Sequence, residues 1–324
     1  MIAMPVSANH PTVAVLLGGI NSEREVSMQS GRRVMDTLSG LGYGTVPVVY
    51  EGDILALVEI LRDYDLVFNM LHGGEGEDGT IQTALDQAGI SYTGSQSRAS
   101  RLAMDKHASK EVMVSANIPT ATWVRLELEE EREFLKYQDY QPLSDFLTEH
   151  SFPVVVKPNG EGSTVGLTIV ENASELGEAL LVAREFGSQV LVEAYIPGRE
   201  ITVTILNGRP LPIVEIVPKH KSYDYECKYT DGMSAYHVPA ELPLDITVAI
   251  QDAARRLYEA LGCRHYSRVD FRLRSDGEFF CLELNTLPGM TSHSLTPMAA
   301  KAVGIGFDAL IELIVKLALQ DVVD

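Results

Sequence analysis

The stretch RVDFRLRSDGEFFCLELN (residues 268–285) decides how this chain folds. Asp276-Gly277 predicts a two-residue hairpin turn, because both central residues of that turn need φ > 0. With such a turn Ser275 faces Glu278, Asp270 faces Glu283 and Arg268 faces Asn285. Val269, Phe271, Leu273, Phe280, Leu282 and Leu284 then share one apolar, core-facing side. Arg268, Asp270, Glu283 and Asn285 share the other. Two carboxylates directly opposite each other repel. A hard cation between them removes the repulsion, and carboxylates plus an amide oxygen suit Mg²⁺ holding a nucleotide's phosphates. The alternative is an exposed charged face neutralised by its arginines. The hairpin alone leaves both readings open.

Around this hairpin lie 324 residues, enough for two or three domains with real cores. Hydrophobic residues make up 45% and charged residues 22%, ordinary values for a globular protein. A net charge of −19 argues against nucleic acid or an anionic membrane as partner, because no basic footprint is available. Cys227, Cys263 and Cys281 have no paired or metal-binding spacing and read as reduced thiols of a cytosolic protein. Residues 1–11 lack a basic segment and are broken by Pro5 and Pro11, so no signal peptide is expected. No apolar run approaches the ~18 residues of a membrane span.

Towards the N-terminus, TVAVLLG (12–18) reads as a buried strand closed by Gly18-Gly19. Ser22 and Glu25 predict a capping box opening a helix that runs to about Ser39. Strands at 45–49 and 65–70 and a helix at 80–88 complete a parallel α/β pattern. Ligands of such a sheet sit at the strands' carboxyl ends, where Gly18-Gly19 and His72-Gly73-Gly74 fall. Beyond Met104-Asp105-Lys106 the pattern changes: a helix through Ala116 and a strand at 122–126 are followed by strands with a helix between them, a small α+β layer. Residues 127–150 read as a solvated helical insertion. The loop 218–239, rich in tyrosine and aperiodic, reads as a lid. Helices are expected at 245–261 and 307–319.

Between two strands, KPNGEGSTVG (157–166) is not a P-loop, which enters a helix. Its glycines still allow backbone N–H groups to close over phosphates, with Lys157 adding a point charge. An ordinary glycine hairpin fits the same residues. Glu193 and Glu200, at the exit of an apolar strand, suit an adenine amine and ribose hydroxyls, or are surface acids. Glu23, in the first turn of the capped helix, either complements the helix dipole or binds an ammonium. His72 is a loop histidine or a ligand group.

Seven segments taken in order resemble D-alanine–D-alanine ligases of the ATP-grasp superfamily. They are VLLGG-x₃-EREVS (15–27), HG-x₃-EDG (72–79), MDK (104–106), KP-x₃-GS (157–163), YDYE-x-KY (223–229), RVD (268–270) and ELNTLPGMTSHSL (283–295). The resemblance implies a three-domain architecture, α/β and α+β, with a Rossmann-like parallel-sheet domain at 1–104. A central ATP-grasp subdomain would span 105–197, and a C-terminal one 198–324, carrying the Mg²⁺ site and the lid. It implies that ATP phosphorylates one D-alanine carboxylate and that the amine of a second D-alanine attacks the acylphosphate, supplying a cell-wall precursor. Asp270, Glu283 and Asn285 would hold two Mg²⁺, or Mn²⁺ in their place. Arg268 and the Gly289 N–H would stabilise the tetrahedral oxyanion. Lys106, Lys157 and Lys228 would contact phosphates or adenine, and Glu193, the Ile196 backbone and Glu200 adenine and ribose. Glu23, near His72, would bind the first substrate's ammonium, linked through Ser163 and Tyr229 to a closed lid. Ser294 and Leu295 would receive the second substrate's carboxylate. A cytoplasmic homodimer is implied by resemblance only.

Three rivals remain. Another ATP-grasp carboxylate–amine ligase, or a D-alanine–D-lactate ligase, is nearest; the Lys228-Tyr229 pair favours D-alanine. A dehydrogenase needs GxGxxG, which GGINSE lacks. A non-catalytic nucleotide binder has no use for Arg268.

Overall fold

A computed structural model describes residues 11–128, 140–219 and 232–321. Strand β1 (Thr12–Gly18) is central in a three-stranded parallel sheet, flanked by β2 (Gly44–Tyr50) and β3 (Leu66–Asn69). Beyond Thr12 every residue of β1 is buried, as a strand covered on both faces requires. Helix α1 (Arg24–Gly40) covers one face. It comes close because Gly31 meets the Leu17 side chain, where a Cβ would lie 2.7 Å from the Leu17 Cβ. Helices α2 (Ile54–Leu61) and α3 (Thr80–Ala88) close the other face around Leu16, Leu57 and Ile81. Helix α4 (Ser97–Met104) leads to α5 (Lys106–Ser115).

A second sheet is antiparallel, in the order β4 (Trp123–Glu127), β7 (Gln189–Ala194), β5 (Val154–Pro158), β6 (Thr168–Val170). Helices α6 (Gln141–Glu149) and α7 (Leu176–Arg184) pack on it. Helix α6 corrects one expectation: the 127–150 insertion is not merely solvated, because Leu143 and Phe146 are buried in this core.

The third sheet runs β11 (Ser234–His237), β10 (Val214–Pro218), β8 (Arg199–Leu206), β12 (Tyr266–Leu273), β13 (Phe279–Asn285), with β9 (Arg209–Pro210) on β8. Helix α8 (Leu244–Leu261) and α5 share the core on its apolar face. Helix α9 (Leu295–Ala302) and helix α10 (Phe307–Gln320) follow. Helix α10 returns to the N-terminal sheet, where Leu310, Ile311, Ile314 and Val315 join Val15, Leu17 and Phe68.

The decisive hairpin keeps its register for a different reason than the one read from its turn. Arg274 N–H donates to Glu278 O at 2.8 Å, so the loop is three residues, Ser275–Gly277, with Gly277 at φ +90°. That shifts the register by one. A bulge then shifts it back: Asp270 pairs Glu283, Phe271 pairs Cys281, and Leu282 is the extra residue. Arg268 therefore still faces Asn285. Cys281 and Phe279 take the core positions expected for Leu282 and Phe280.

The expected capping box does not form. Helix α1 starts at Arg24 with Glu23 at its N-cap, and the cap residue's side chain makes no capping bond. Asn21 rather than Ser22 organises the turn, its Oδ1 accepting from the Glu23 N–H at 2.9 Å. Glu25 accepts from Gln29 Nε2. Glu23 is thereby left for other work.

His265 locks the third sheet to the first. It is buried at φ +59°, its Nδ1 accepts from the Gly94 N–H at 3.0 Å, and its Nε2 lies 2.9 Å from Asp321 Oδ2. Burial, then repulsion from Arg264, pushes its pKa from 6.5 down to about 4, against the pull of Asp321. A histidine neutral when folded contributes stability above its unfolded pKa. That contribution is lost as pH falls from 6.5 towards 4, because the unfolded chain binds the proton first. Thermal melts between pH 7 and pH 5 should show a falling Tm, and His265→Asn, which tolerates the left-handed backbone, should flatten that slope. Parallel slopes would mean that His265 is already charged in the native state.

Candidate active site

Two cavities meet between the three sheets. The first is lined by Glu23, His72, Ser163, Arg268, Asn285, Gly289, Ser294 and Leu295, among others. The second is lined by Lys157, Glu193, Ile196, Glu200 and Asp270, with apolar Val155, Leu167, Ile169 and Leu282. Lys106, Gly162 and Glu283 line both and form the shared wall. Every site residue expected from the sequence thus borders one cavity or the other, except Lys228 and Tyr229, which lie outside the described residues. Most of the tyrosine-rich 218–239 segment lies outside them too, and β11 occupies 234–237 of it.

Glu23 sits at the mouth of the parallel sheet, 9% exposed. Ser163 Oγ donates to its Oε1 at 2.5 Å, joining the first sheet to the loop between β5 and β6. Asn21 Nδ2 holds the His72 carbonyl at 2.9 Å, so one side chain aligns both Glu23 and His72. His72 Nδ1 lies 3.9 Å from Glu77 Oε1. Burial raises the pKa of Glu77, and repulsion from Glu23 adds to this against a hydrogen bond from His72. Neither Asn21 nor Glu77 stands out in the sequence, although both lie inside the matched motifs.

Gly73 shows how tightly Glu23 is confined. At φ +62° a Cβ would stand 2.3 Å from Glu23 Oε2. Gly73→Ala should displace that carboxylate and raise KM for the substrate bearing the ammonium by about tenfold or more, by misplacement of the kind that costs orders of magnitude. KM for the nucleotide should hardly change. Steady-state kinetics in each substrate separates the two, and an unaltered amino-acid KM would take Glu23 out of substrate binding.

The loop between β5 and β6 differs from the expected glycine cradle. Its left-handed residues are Ser163 (φ +50°), Thr164 (φ +66°) and Gly166 (φ +68°), not Gly160 or Gly162. Consecutive non-glycine residues in that region carry strain of about 1–3 kcal/mol each, typical of ligand clamps. Ser163 is held there by its bond to Glu23.

On the third sheet the polar face is assembled as the register requires. Arg268 Nε and Nη2 both bond Asp270 at 2.9 Å, and Thr202 Oγ1 adds a 2.6 Å bond to Asp270 Oδ1. Lys106 Nζ lies 3.7 Å from Glu283 Oε2 and also bonds the Glu161 carbonyl. Burial lowers the Lys106 pKa, and Glu283 pulls it back. Asn285 Oδ1 accepts from the Leu287 N–H at 2.9 Å. Asp270, Glu283 and Asn285 offer only oxygen donors on two directly paired strands, a set that fits a hard divalent cation. Among the described residues no three His, Cys, Asp or Glu side chains cluster as a metal site.

In the second cavity Glu193 is 2% exposed and no surface acid. Its Oε2 lies 2.9 Å from Lys157 Nζ and its Oε1 3.4 Å from Lys110 Nζ. Burial alone would raise its pKa; Lys110 and then Lys157 overcome this and hold it below the ordinary carboxylate value. Glu200 pairs with Arg272 at 3.1 Å, and Arg272 Nε also takes the Ile196 carbonyl at 3.2 Å. Arg272 is not legible as a site residue in the sequence, although it sits on the polar face of β12 opposite Glu200. At the far side of the first cavity Ser294 Oγ lies 2.9 Å from both the N–H and the hydroxyl of Thr291.

Two family models match the chain: "D-ala D-ala ligase N-terminus" over residues 52–95 and "D-ala D-ala ligase C-terminus" over residues 112–316. The chain belongs to the D-alanine–D-alanine ligase family. A D-alanine–D-alanine ligase of Syntrophotalea carbinolica is 43% identical over 93% of this chain and 94% of its own length. One from a Marinomonas strain is 40% identical over 98% and 99%. Within the family, the solved structure of the Bacillus anthracis enzyme complexed with ATP superposes with a TM-score of 0.83 at 36% identity, covering 97% of this chain and 99% of that one. A D-Ala:D-Ser ligase of Enterococcus faecalis gives 0.80 at 28% identity, covering 95% and 99%. No helix among the described residues is long and apolar enough to cross a membrane.

Proposed function

We propose that this chain joins two D-alanine molecules to D-alanyl-D-alanine at the expense of ATP, giving ADP and phosphate, through an acylphosphate. The observation that carries the reading is the pair of cavities sharing one wall, with the buried carboxylate of Glu23 at one end and an apolar, lysine-lined slot at the other. The second cavity takes the nucleotide, its adenine between the apolar residues and its phosphates towards Lys157 and Lys106. The first takes both amino acids. Phosphoryl transfer then happens at the shared wall.

Asp270, Glu283 and Asn285 would hold Mg²⁺, or Mn²⁺, which when bound neutralises charge on the transferring phosphoryl group. Glu23 orients the first substrate through its ammonium, and Ser163 fixes Glu23. Arg268, with the Gly289 N–H, stabilises the oxyanion that forms when the second amine attacks. Ser294 and Leu295, at the start of α9, receive the second carboxylate. Closure over the site keeps the acylphosphate from water. We read 1–104, 105–197 and 198–324 as the domains that meet here, and the enzyme as a cytoplasmic homodimer, testable by sedimentation.

Phosphate release measured with ATP, Mg²⁺ and a panel of amino and hydroxy acids tests the reading. D-Alanine should drive turnover and give the dipeptide. Turnover with D-lactate or D-serine as preferred second substrate would move the chain to a sister specificity. No dependence on D-alanine would sink the assignment.

A further inference from the structure

Lys110 is a fully buried charge that no step of the proposed reaction uses. It is 0% exposed and lines neither cavity. Its Nζ donates to Thr120 Oγ1 at 2.8 Å and to the Ala121 carbonyl at 3.0 Å. Thr120 spends its own hydroxyl proton on the Cys281 carbonyl at 2.8 Å, so it can only accept from Lys110. Glu193 Oε1 lies 3.4 Å from the same ammonium, within ion-pair distance but without a hydrogen bond of its own. Trp123, paired with Glu193 across β4 and β7, has its ring centroid 5.2 Å from the same ammonium. The lysine is fixed from four sides by α5, the 120–121 segment, β4 and β7.

Glu193 is therefore gripped from two directions by lysines of different standing. Lys157 reaches it from the cavity and belongs to the nucleotide-facing wall. Lys110 reaches it from inside the protein and has nowhere else to go. If Lys157 were its single countercharge, turning Lys157 to a phosphate would strand a buried carboxylate, which costs far more than a surface pair is worth.

We propose that Lys110 is a positioning residue for nucleotide binding: it holds Glu193 ionised and in place from behind, so that Lys157 can leave Glu193 for the phosphates. The proposal rests on the second cavity being the nucleotide site. One lysine is a resident countercharge and the other an exchangeable one. Without Lys110, Glu193 and Lys157 become a closed one-to-one pair, and nucleotide must break it to bind.

The test is calorimetric titration of a non-hydrolysable ATP analogue with Mg²⁺, alongside steady-state kinetics. Lys110→Gln keeps an amide that can bond Thr120 and Ala121 but removes the charge. It should weaken the analogue by about tenfold or more, raise KM for ATP in parallel, and leave kcat within a few-fold, as loss of one partner of a buried charge pair predicts. Lys110→Met, which loses the bonds as well, should weaken binding to the same extent. Thermal melts establish that each variant folds. In a Glu193→Gln background no carboxylate needs a countercharge, so adding Lys110→Gln should change affinity little; this double variant removes both charges of the buried Lys110–Glu193 pair and covers the case in which the single variants do not fold. Wild-type affinity in Lys110→Gln with weakened binding only in Lys110→Met would show a purely structural role and overturn the proposal. Losses that simply add in the Glu193→Gln background would overturn it as well. Failure of the unaltered chain to bind the analogue would instead remove the nucleotide reading on which the proposal stands.

Discussion

Glu283→Ala should abolish ATP turnover, with kcat falling on the order of 10³-fold or more, as loss of a metal ligand at a phosphoryl-transfer site does. Among the described residues Glu283 is the one carboxylate in the wall between the two cavities, and it faces Asp270 directly. Its side chain is 30% exposed and its partner Lys106 is 3.7 Å away, so the fold should lose little on truncation. A melting temperature near that of the unaltered chain, together with D-alanine-dependent phosphate release near background, is the expected pair of results. Raising Mg²⁺ or supplying Mn²⁺ should recover part of the rate. Activity within a few-fold of the unaltered chain would mean that the paired carboxylates carry no metal, and the charged-face reading of the hairpin would stand.

Arg268→Met should reduce kcat by about 10²–10³-fold, the range seen when one donor to a developing oxyanion is lost. KM for ATP and for D-alanine should change much less. Arg268 lines the first cavity, as Gly289 does, while its fork is also bonded to Asp270 on the second-cavity side. Two roles are therefore separable. If Arg268 acts on the oxyanion, the loss appears in kcat, and lysine does not restore it because a point charge cannot reproduce the fork. A raised KM for MgATP with kcat preserved would mean that Arg268 serves only to hold Asp270.

The hairpin shows why part of this site is legible in one dimension. Strand pairing repeats every two residues, so Arg268, Asp270, Glu283 and Asn285 can be placed on one face from the turn outward. The turn has three residues where its sequence predicts two, and the bulge at Leu282 cancels the difference at the four residues that matter. It does not cancel it at Phe280 and Leu282. Leu282 instead lines the second cavity. A bulge is set by what packs on both sides of a sheet, and no local spacing announces it.

The capping box fails for a related reason. Ser22 and Glu25 satisfy the local pattern, but Asn21 takes the Glu23 N–H, and Glu23 is claimed by Ser163 from a loop 140 residues away. Local propensity yields where a tertiary contact is worth more.

The sequence by itself determined the parallel N-terminal sheet, the final hairpin with its polar face and, through motifs spread along the chain, the family. Those are statements about periodicity and about residue types in order. Only the tertiary structure decided which groups touch: that α10 completes the core of the first sheet, that Lys106, Gly162 and Glu283 divide two cavities, and that Lys110 stands behind Glu193. Each joins elements far apart in the chain, whose distance is set by packing around the cores of three sheets rather than by the residues beside them.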